Sequence, residues 1–412
     1  MTAHHLPELL SRRAALLTLS GTALHLTGCG GGGGGALAGL SSGGTGGIGG
    51  ANGGTGSFTS GTITGLGSII VNGIRYDDRT ASVVSRDDNT PLTSPLKLGM
   101  VVSIQGSAVT PATTATATAT ATASRISVGS EWQGPIEALG SSTLTVFGLT
   151  VDTLASTLFD GAAHQFSGLL SNHFVEIFGY LDTTTGHLQA SRIESSTTQP
   201  AQYRLSGRVS AKEPAQASFQ IGNTRMVMAP QAEQPAAWAD GDVVRVQLNV
   251  TPLAGVWRAT RVQLLGSPLL DLEADDEDEA EIHGTITAFQ TSQSFHVNGI
   301  LVNASGALVT GTLGLGVRVE IKGTISAQTV LAQKVEAENK DSADSQVFEF
   351  YGQVSLLDTQ AQTFVLRSYT FHYSANTRLK NINWAINPVP LVELKATQSN
   401  GRWEATAIEL DD

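Results

Sequence analysis

The sequence is poor in cysteine and in charged residues. Its 412 residues include a single cysteine, Cys29, and only 15% of them are charged, against about 25% in typical soluble domains. One cysteine excludes an internal disulfide and any zinc or iron–sulfur site built from several cysteines. Lys and Arg together number 24 against 36 Asp and Glu. This acidic balance lacks the basic footprint of nucleic-acid-binding proteins, so we expect no nucleic-acid partner.

The sequence also lacks local catalytic and metal-binding motifs. Beyond residue 28, no two histidines have the i, i+2 or i, i+4 spacing of a local metal site. A Gly-x-Ser-x-Gly match at Gly39–Gly43 lies in a glycine-rich segment, without the strand and helix that a nucleophile elbow requires. We therefore expect a protein that is not an enzyme, with no catalytic residue, no metal site and no cofactor.

The N-terminus has the features of an export signal. Arg12 and Arg13 precede a weakly apolar stretch, residues 14–26, which is too short to span a bilayer of about 30 Å. The run Leu26-Thr27-Gly28-Cys29 resembles a bacterial lipobox, which implies cleavage between Gly28 and Cys29 and lipidation of Cys29. The alternative is a chance cysteine after an ordinary signal peptide. Export by the general secretory route or by the twin-arginine route stays open.

An acylated Cys29 would anchor the chain in a membrane. In bacterial lipoproteins an Asp after the cysteine favours the inner membrane, and this chain has Gly30 there. We therefore expect an outer-membrane lipoprotein that faces either the periplasm or the cell surface. The glycine-rich stretch that follows cannot bury enough apolar surface to fold, and we interpret it as a flexible tether.

A unit of about 70 residues then occurs five times. Each copy opens with Gly-x-(Ile/Val), at Gly61, Gly134, Gly207, Gly284 and Gly352. Short apolar runs around Asn72-Gly73 and Asn298-Gly299 predict β-hairpins, because a type I′ turn needs two residues with positive φ. Alternating strands follow, and each copy closes on a segment that begins with alanine, at Ala123, Ala190, Ala259, Ala332 and Ala405. Five or six short strands suffice for a small closed barrel without exposed edges.

The run from Gly61 to Gly73, with Gly99-Met100-Val101-Val102-Ser103-Ile104-Gln105-Gly106 after it, resembles the bacterial family called domain of unknown function 5666. The first unit carries the pattern most clearly, and the fifth diverges most, with Ala396 where other units have glycine. The resemblance implies a small β-barrel and export. It implies no activity.

The fold class expected is all-β, with about five tandem small OB-like barrels in a row after a signal peptide and a glycine-rich tether. The expected segments are a signal peptide (1–28), the tether (29–57), barrel repeats 1 to 3 (58–130, 131–200 and 201–268), an acidic linker (269–281), and barrel repeats 4 and 5 (282–340 and 348–412). The Thr-Ala tract from Pro111 to Ser124 is either a loop or an extension of a β-ribbon.

Two tryptophans occupy matched places in the third and fifth units. Trp257 and Trp403 each precede the closing alanine segment. They are candidates for stacking on a sugar or another ligand, or they plug the tapering end of a barrel.

These features predict a non-enzymatic, lipid-anchored envelope protein, a tethered rod of barrels that serves as a scaffold or adaptor. Its partners would be the membrane, through the anchor, and an unknown envelope protein or glycan. The alternative is an envelope module that binds polysaccharide or peptidoglycan through exposed aromatic residues.

Overall fold

The computed structural model describes residues 56–113, 118–183, 185–265, 269, 278–337, 346–384 and 391–410. The candidate lipidation site at Gly28 and Cys29, the tether up to residue 55 and residues 270–277 of the acidic run lie outside the described residues. Thirty strands make up almost all the regular structure in the described part of the chain. No helix among these residues has the length and apolar character needed to cross a bilayer.

The first repeat folds into a closed barrel whose strand order comes directly from the pairing. Its strands are β1 (Gly56–Leu66), β2 (Ile69–Val71), β3 (Ile74–Asp77), β4 (Ser82–Ser85), β5 (Val101–Ser107) and β6 (Ala119–Val128). β1 pairs antiparallel with β2 and β2 with β3, while β3 and β4 run parallel to β6. β5 then joins β6 to β1 and closes the barrel. This is the Greek-key arrangement of an OB-fold, as expected.

Barrels 2 and 3 repeat this order, with the first strand of barrel 2 split into two pieces. The strands of barrel 2 are β7 (Trp132–Pro135), β8 (Ala138–Leu139), β9 (Thr143–Val146), β10 (Leu149–Gly161), β11 (Phe174–Asp182) and β12 (His187–Ser196). The strands of barrel 3 are β13 (Tyr203–Glu213), β14 (Ser218–Ile221), β15 (Thr224–Glu233), β16 (Val243–Leu248) and β17 (Trp257–Leu264). One 3-10 turn lies in each, at Phe166–Gly168 and Pro214–Gln216.

Barrels 4 and 5 close in the same way. The strands of barrel 4 are β18 (Glu279–Thr291), β19 (Ser294–Val297), β20 (Ile300–Asn303), β21 (Leu308–Thr310), β22 (Arg318–Ser326) and β23 (Thr329–Ala337). The strands of barrel 5 are β24 (Phe348–Gln353), β25 (Ser355–Asp358), β26 (Thr363–Leu366), β27 (Tyr369–His372), β28 (Arg378–Lys380), β29 (Leu391–Ser399) and β30 (Arg402–Leu410).

Two expected boundaries differ from the strands. β18 begins at Glu279, inside the segment predicted as a linker, because Ala280 and Ile282 alternate into the barrel 4 core while Glu281 pairs with Lys322. The Thr-Ala tract is partly a strand, since β6 begins at Ala119 and its first four residues pair with β3. That part of the tract therefore closes the first barrel.

The opening glycines of the fourth and first units are explained by the hairpin that folds over them. Asn298 and Gly299 have φ values of 51° and 83°, as a type I′ turn requires. The Asn298 side chain donates to the His283 carbonyl at 3.1 Å and accepts from the Thr285 amide at 3.1 Å. A Cβ on Gly284 would overlap this side chain. The same relation holds between Gly61 and Asn72 in barrel 1.

The closing alanine marks a β-bulge that occurs at the same place in all five barrels. In barrel 4, Gly323 pairs with Ala332 and Lys322 with Lys334, so Gln333 is the extra residue. The other register shifts lie beside Ala123, Ala190, Ala259 and Ala405. All five alanines are buried, because the bulge turns this position toward the core.

The five expected barrels are present, and they also pair with one another. The start of β1 pairs parallel with β18 of barrel 4, and its end pairs with β24 of barrel 5. β7 of barrel 2 pairs with β13 of barrel 3. Barrels 1 and 5 share one apolar core, and barrels 2 and 3 share another. The physical reason is that strands that close one barrel still offer free backbone groups at their ends, and neighbouring barrels pair with them.

Candidate functional site

The two tryptophans proposed as ligand platforms lie against other aromatic rings. Trp403 is 6% exposed, and its ring centroid lies 5.2 Å from Phe348 and 5.3 Å from Phe350. Trp257 is half-buried, with centroids 5.2 Å from Phe147 and 5.7 Å from Tyr203. Trp257 is the first residue of β17 and Trp403 the second residue of β30, the last strands of their barrels. Their positions favour the packing interpretation over a stacking platform.

An ionic cluster centred on Arg245 connects three barrels. The Arg245 side chain is 1% exposed, and its guanidinium donates to Asp87 at 2.7 Å and to Glu131 at 3.3 Å. Arg204 binds the other oxygen of Asp87 at 2.7 Å, and Arg86 pairs with Glu131. Asp87 follows β4 of barrel 1, Arg204 and Arg245 belong to barrel 3, and Glu131 precedes barrel 2. Opposite charges and hydrogen bonds make burial of these groups tolerable.

A second ionic cluster connects barrels 1 and 2. Arg192 is 3% exposed; it pairs with Asp160, with Glu194 at 2.7 Å, and with the Leu98 carbonyl at 3.0 Å. Lys97 of barrel 1 reaches both carboxylates at 3.1 Å. Burial alone would raise the pKa of Asp160, but the Gly161 amide, Arg192 and Lys97 outweigh it and lower that pKa. The clusters on Arg245 and Arg192 therefore hold barrels together.

A third cluster contains side chains of the types that bind metal ions. The ligand atoms of Glu281, His283 and Glu320 lie within 4.8 Å of one another. The neighbouring Lys322 ammonium lies 3.1 Å from Glu281 and 3.3 Å from Glu320. These three residues could hold a divalent cation, but the lysine already supplies a positive charge between the carboxylates. The arrangement is that of a charge-paired patch.

The electrostatics of this patch follow from its partners. His283, whose Nε2 lies 3.6 Å from Glu320, lowers the pKa of Glu320 to about 2. Burial raises the pKa of Glu281. The sequence carried a signal for part of this cluster: Glu320 and Lys322 alternate on the strand expected near the end of the fourth unit, whereas Glu281 falls in the segment predicted as a linker. In the structure, β18 and β22 are antiparallel neighbours, with Glu281 opposite Lys322 and His283 opposite Glu320.

Among the described residues, cavities between the barrels include the following two. One, of about 300 Å³, is bordered by His283, Glu320, Arg318, Thr62 and Tyr180. The other, of about 430 Å³, lies where barrels 1, 2, 3 and 4 meet, and we call it the four-barrel cavity. Trp257 and Trp403 line neither of them. Sequence reasoning missed both cavities because their walls come from repeats that are far apart in the chain.

The strand pattern just described matches a known family. The model of the family described as "Domain of unknown function (DUF5666)" matches residues 133–194, 283–336 and 351–409. Three segments of the chain therefore match this domain. The matched DUF5666 segments are barrels 2, 4 and 5. Barrel 1, which has the clearest form of the sequence pattern, is outside them; its Thr-Ala insertion separates its last two strands.

Other comparisons add little to the DUF5666 assignment. No curated protein matches this chain. One similar solved structure is titled "drosophila Unr CSD456" and is 13% identical, with a TM-score of 0.13. The match covers 50% of this chain and 96% of that chain. A score this low does not indicate a shared architecture, so the fold assignment depends on strand pairing.

Proposed function

We propose that this chain is a non-enzymatic, lipid-anchored envelope protein whose five barrels form one rigid adaptor. Lipid on Cys29 would hold it in the outer membrane, and the glycine-rich stretch would separate the barrels from the bilayer. Its partner would be an envelope protein or a glycan. Nucleic acid is a poor partner for a chain with a net charge of −12.

The observation that carries the proposal is the fixed geometry between barrels. The Arg245 cluster joins barrels 1 and 3, and the Arg192 cluster joins barrels 1 and 2. β1 pairs in parallel with β18 of barrel 4 and with β24 of barrel 5. Flexible linkers would suffice for a protein that needs only to extend away from the membrane. Barrels in fixed positions instead keep several surfaces at a constant distance from one another.

Two further observations favour this function over the alternatives. The buried Arg245 pairs with Asp87 of barrel 1, and the buried Arg192 donates to the Leu98 carbonyl of barrel 1, which supports a structural role for both. Trp403 is packed in the barrel 5 core, so it gives no support to a glycan site made of exposed aromatic residues.

The anchor can be tested by comparing wild type with Cys29→Ser in membrane fractionation and in labelling with radioactive palmitate. Ser42→Ala, in the same glycine-rich segment, is the matched control. We expect the wild type and the control to be labelled and to remain with the outer membrane, and Cys29→Ser to be unlabelled and released. If Cys29→Ser fractionates like wild type and no label enters the wild type, the anchor is wrong.

The adaptor role can be tested in intact cells. Protease added from outside shows whether the barrels face the medium or the periplasm. Chemical cross-linking of the wild type should give a discrete covalent adduct with an envelope component, and the released Cys29→Ser protein should lose that adduct. A wild type that is anchored but forms no adduct would contradict the adaptor role and leave the anchor intact.

A further inference from the structure

The four-barrel cavity has the dimensions of a small-molecule site. Its volume is about 430 Å³, within the range of about 300–1,000 Å³ typical of ligand pockets. Its walls combine apolar side chains such as Leu181, Val243 and Leu265 with a larger number of polar and charged side chains. Apolar area contributes affinity in a ligand pocket and polar groups fix the orientation of the ligand, so this lining suits a polar small molecule.

Three serine hydroxyls form a row on the wall that barrel 1 contributes. Ser60, Ser103 and Ser127 stand opposite one another on β1, β5 and β6. Their neighbours Val102, Ile104 and Ile126 point into the barrel core, so the serines face outward. All three are nevertheless buried, at 3%, 8% and 4% exposure, because the other barrels cover them.

The three serine hydroxyls form few hydrogen bonds with the described residues. Ser103 donates to Ser60 over a long 3.4 Å, and the Ser127 hydroxyl has no hydrogen-bond partner among the described residues. On the opposite wall, His296 has a buried Nδ1 that is also without a partner in the described part of the chain. Leaving a buried polar group without a hydrogen bond is destabilising, so these groups on both walls favour a polar occupant.

The charges around the cavity balance. Arg86 is paired with Glu131, and the Arg208 guanidinium donates to the carbonyls of Gly241 at 2.6 Å and Thr287 at 3.1 Å. Asp242 accepts from the Ala239 amide at 2.8 Å. Two arginines thus stand against two carboxylates, and burial lowers the pKa of His296, which favours its neutral form. The side chains that line the cavity have no net formal charge, so a charged ligand would lose its hydration without meeting a net opposite charge.

We propose that the four-barrel cavity binds a neutral polyhydroxylated molecule of monosaccharide size, held by the Ser60–Ser103–Ser127 row. The three serines lie on neighbouring strands about 4.8 Å apart, and the Ser60 and Ser103 hydroxyl oxygens are 3.4 Å apart, so the row can contact several oxygens of one ligand. The C–H faces of a sugar ring suit the apolar part of the wall. This small-molecule site goes beyond the adaptor role and does not depend on it.

The ligand class is tested by saturation-transfer NMR and calorimetry on the purified full chain in detergent. The neutral probes are glucose and N-acetylglucosamine, and the charged counterparts are glucosamine and gluconate. We expect saturable binding of at least one neutral probe and at least tenfold weaker binding of both charged ones. If neither neutral probe binds, or if the charged probes bind as tightly, the proposal is wrong, and the cavity holds only water.

The position of the site is tested with two variants of Ser127. Ser127→Ala removes one hydroxyl and should weaken binding about fivefold to tenfold, and Ser127→Leu should fill the cavity and abolish it. Thr122→Ala removes an exposed hydroxyl from the same strand and should leave binding unchanged. Circular dichroism and the unfolding midpoint confirm that each variant is folded. Unaltered binding by a folded Ser127→Ala places the sugar elsewhere and overturns the proposal.

Discussion

The glycine near the end of the fourth strand lies against the backbone of the fifth strand. In barrel 4 a Cβ on Gly323 would overlap the Leu331 carbonyl. Barrels 3 and 5 have Leu248 and Ala396 at this place and still form the bulge. Glycine is therefore needed for the close approach in barrel 4, whereas the bulge itself tolerates a side chain.

At Gly323 we expect substitution by alanine to be destabilising, because a backbone carbonyl cannot move as easily as a side-chain tip. Gly323→Ala should lower the free energy of unfolding by about 1–3 kcal/mol, measured by urea denaturation. Gly306→Ala, where a Cβ would meet nothing within 4 Å, is the control and should change it by about 0.5 kcal/mol or less. Equal effects of the two variants would contradict this account.

The carboxylate of Glu320 makes a pH-dependent contribution to the free energy of unfolding. Its pKa is lowered to about 2 from an ordinary 4.5, first by the hydrogen bond with His283 and then by Lys322. The charged form is therefore stabilised by folding. The contribution is complete above about pH 4.5 and is lost as the pH falls toward 2.

Glu320→Gln should consequently lower the free energy of unfolding by about 1–2 kcal/mol at pH 7, after allowance for solvent screening. The difference from wild type should shrink when urea denaturation is repeated at pH 3. Glu336→Gln, on the adjacent strand and paired with Lys334 at 2.8 Å, should have an effect below about 1 kcal/mol at both values. A difference for Glu320→Gln that is independent of pH would contradict the assignment.

At the scale of elements, neighbouring barrels are held together by ionic contacts between residues that lie far apart in the sequence. Arg245 on β16 reaches Asp87, which follows β4, and Glu131, which precedes β7. Arg245→Met would leave these two buried carboxylates with Arg204 and Arg86 alone. We expect a loss of about 3 kcal/mol in the free energy of unfolding, the low end of the range for breaking a buried pair.

The matched control for Arg245 is an exposed ion pair within one barrel. Arg402 lies 2.6 Å from Glu404, and their side chains are 59% and 44% exposed. Arg402→Met should change the free energy of unfolding by about 0–1 kcal/mol. If Arg245→Met is as mild as Arg402→Met in urea denaturation, the cluster does not fix the barrels.

Local sequence signals predicted the strands and hairpins that lie within one repeat. Asn72-Gly73 and Asn298-Gly299 form the expected turns. The sequence did not reveal the corresponding turns at Phe147-Gly148 and Arg367-Ser368, where φ is also positive at both residues, because bulky residues rarely adopt that conformation. The clusters on Arg245 and Arg192 and the cavities could not be predicted, since they depend on contacts between repeats.

At the scale of the whole molecule, one residue shows that the repeats are not independent. Phe58 belongs to β1, which closes barrel 1, yet its side chain is 0% exposed and lies in the core of barrel 4. Backbone pairing between Ser57–Ser60 and Glu279–Ile282 brings it there. Barrel 4 is therefore completed by a strand from a repeat more than 200 residues earlier, and a linear series of barrels could not contain this contact.

This contact predicts coupled stability across the molecule. Phe58→Ala should lower the free energy of unfolding by about 3–5 kcal/mol and should raise amide exchange in β18 and β22 of barrel 4. Phe219→Ala, a buried residue in barrel 3, is the control and should raise exchange in β13 and β14 instead. Hydrogen exchange with mass spectrometry distinguishes the two patterns. If Phe58→Ala raises exchange only between residues 56 and 128, barrel 4 folds without β1, and the rigid body inferred for the adaptor is wrong.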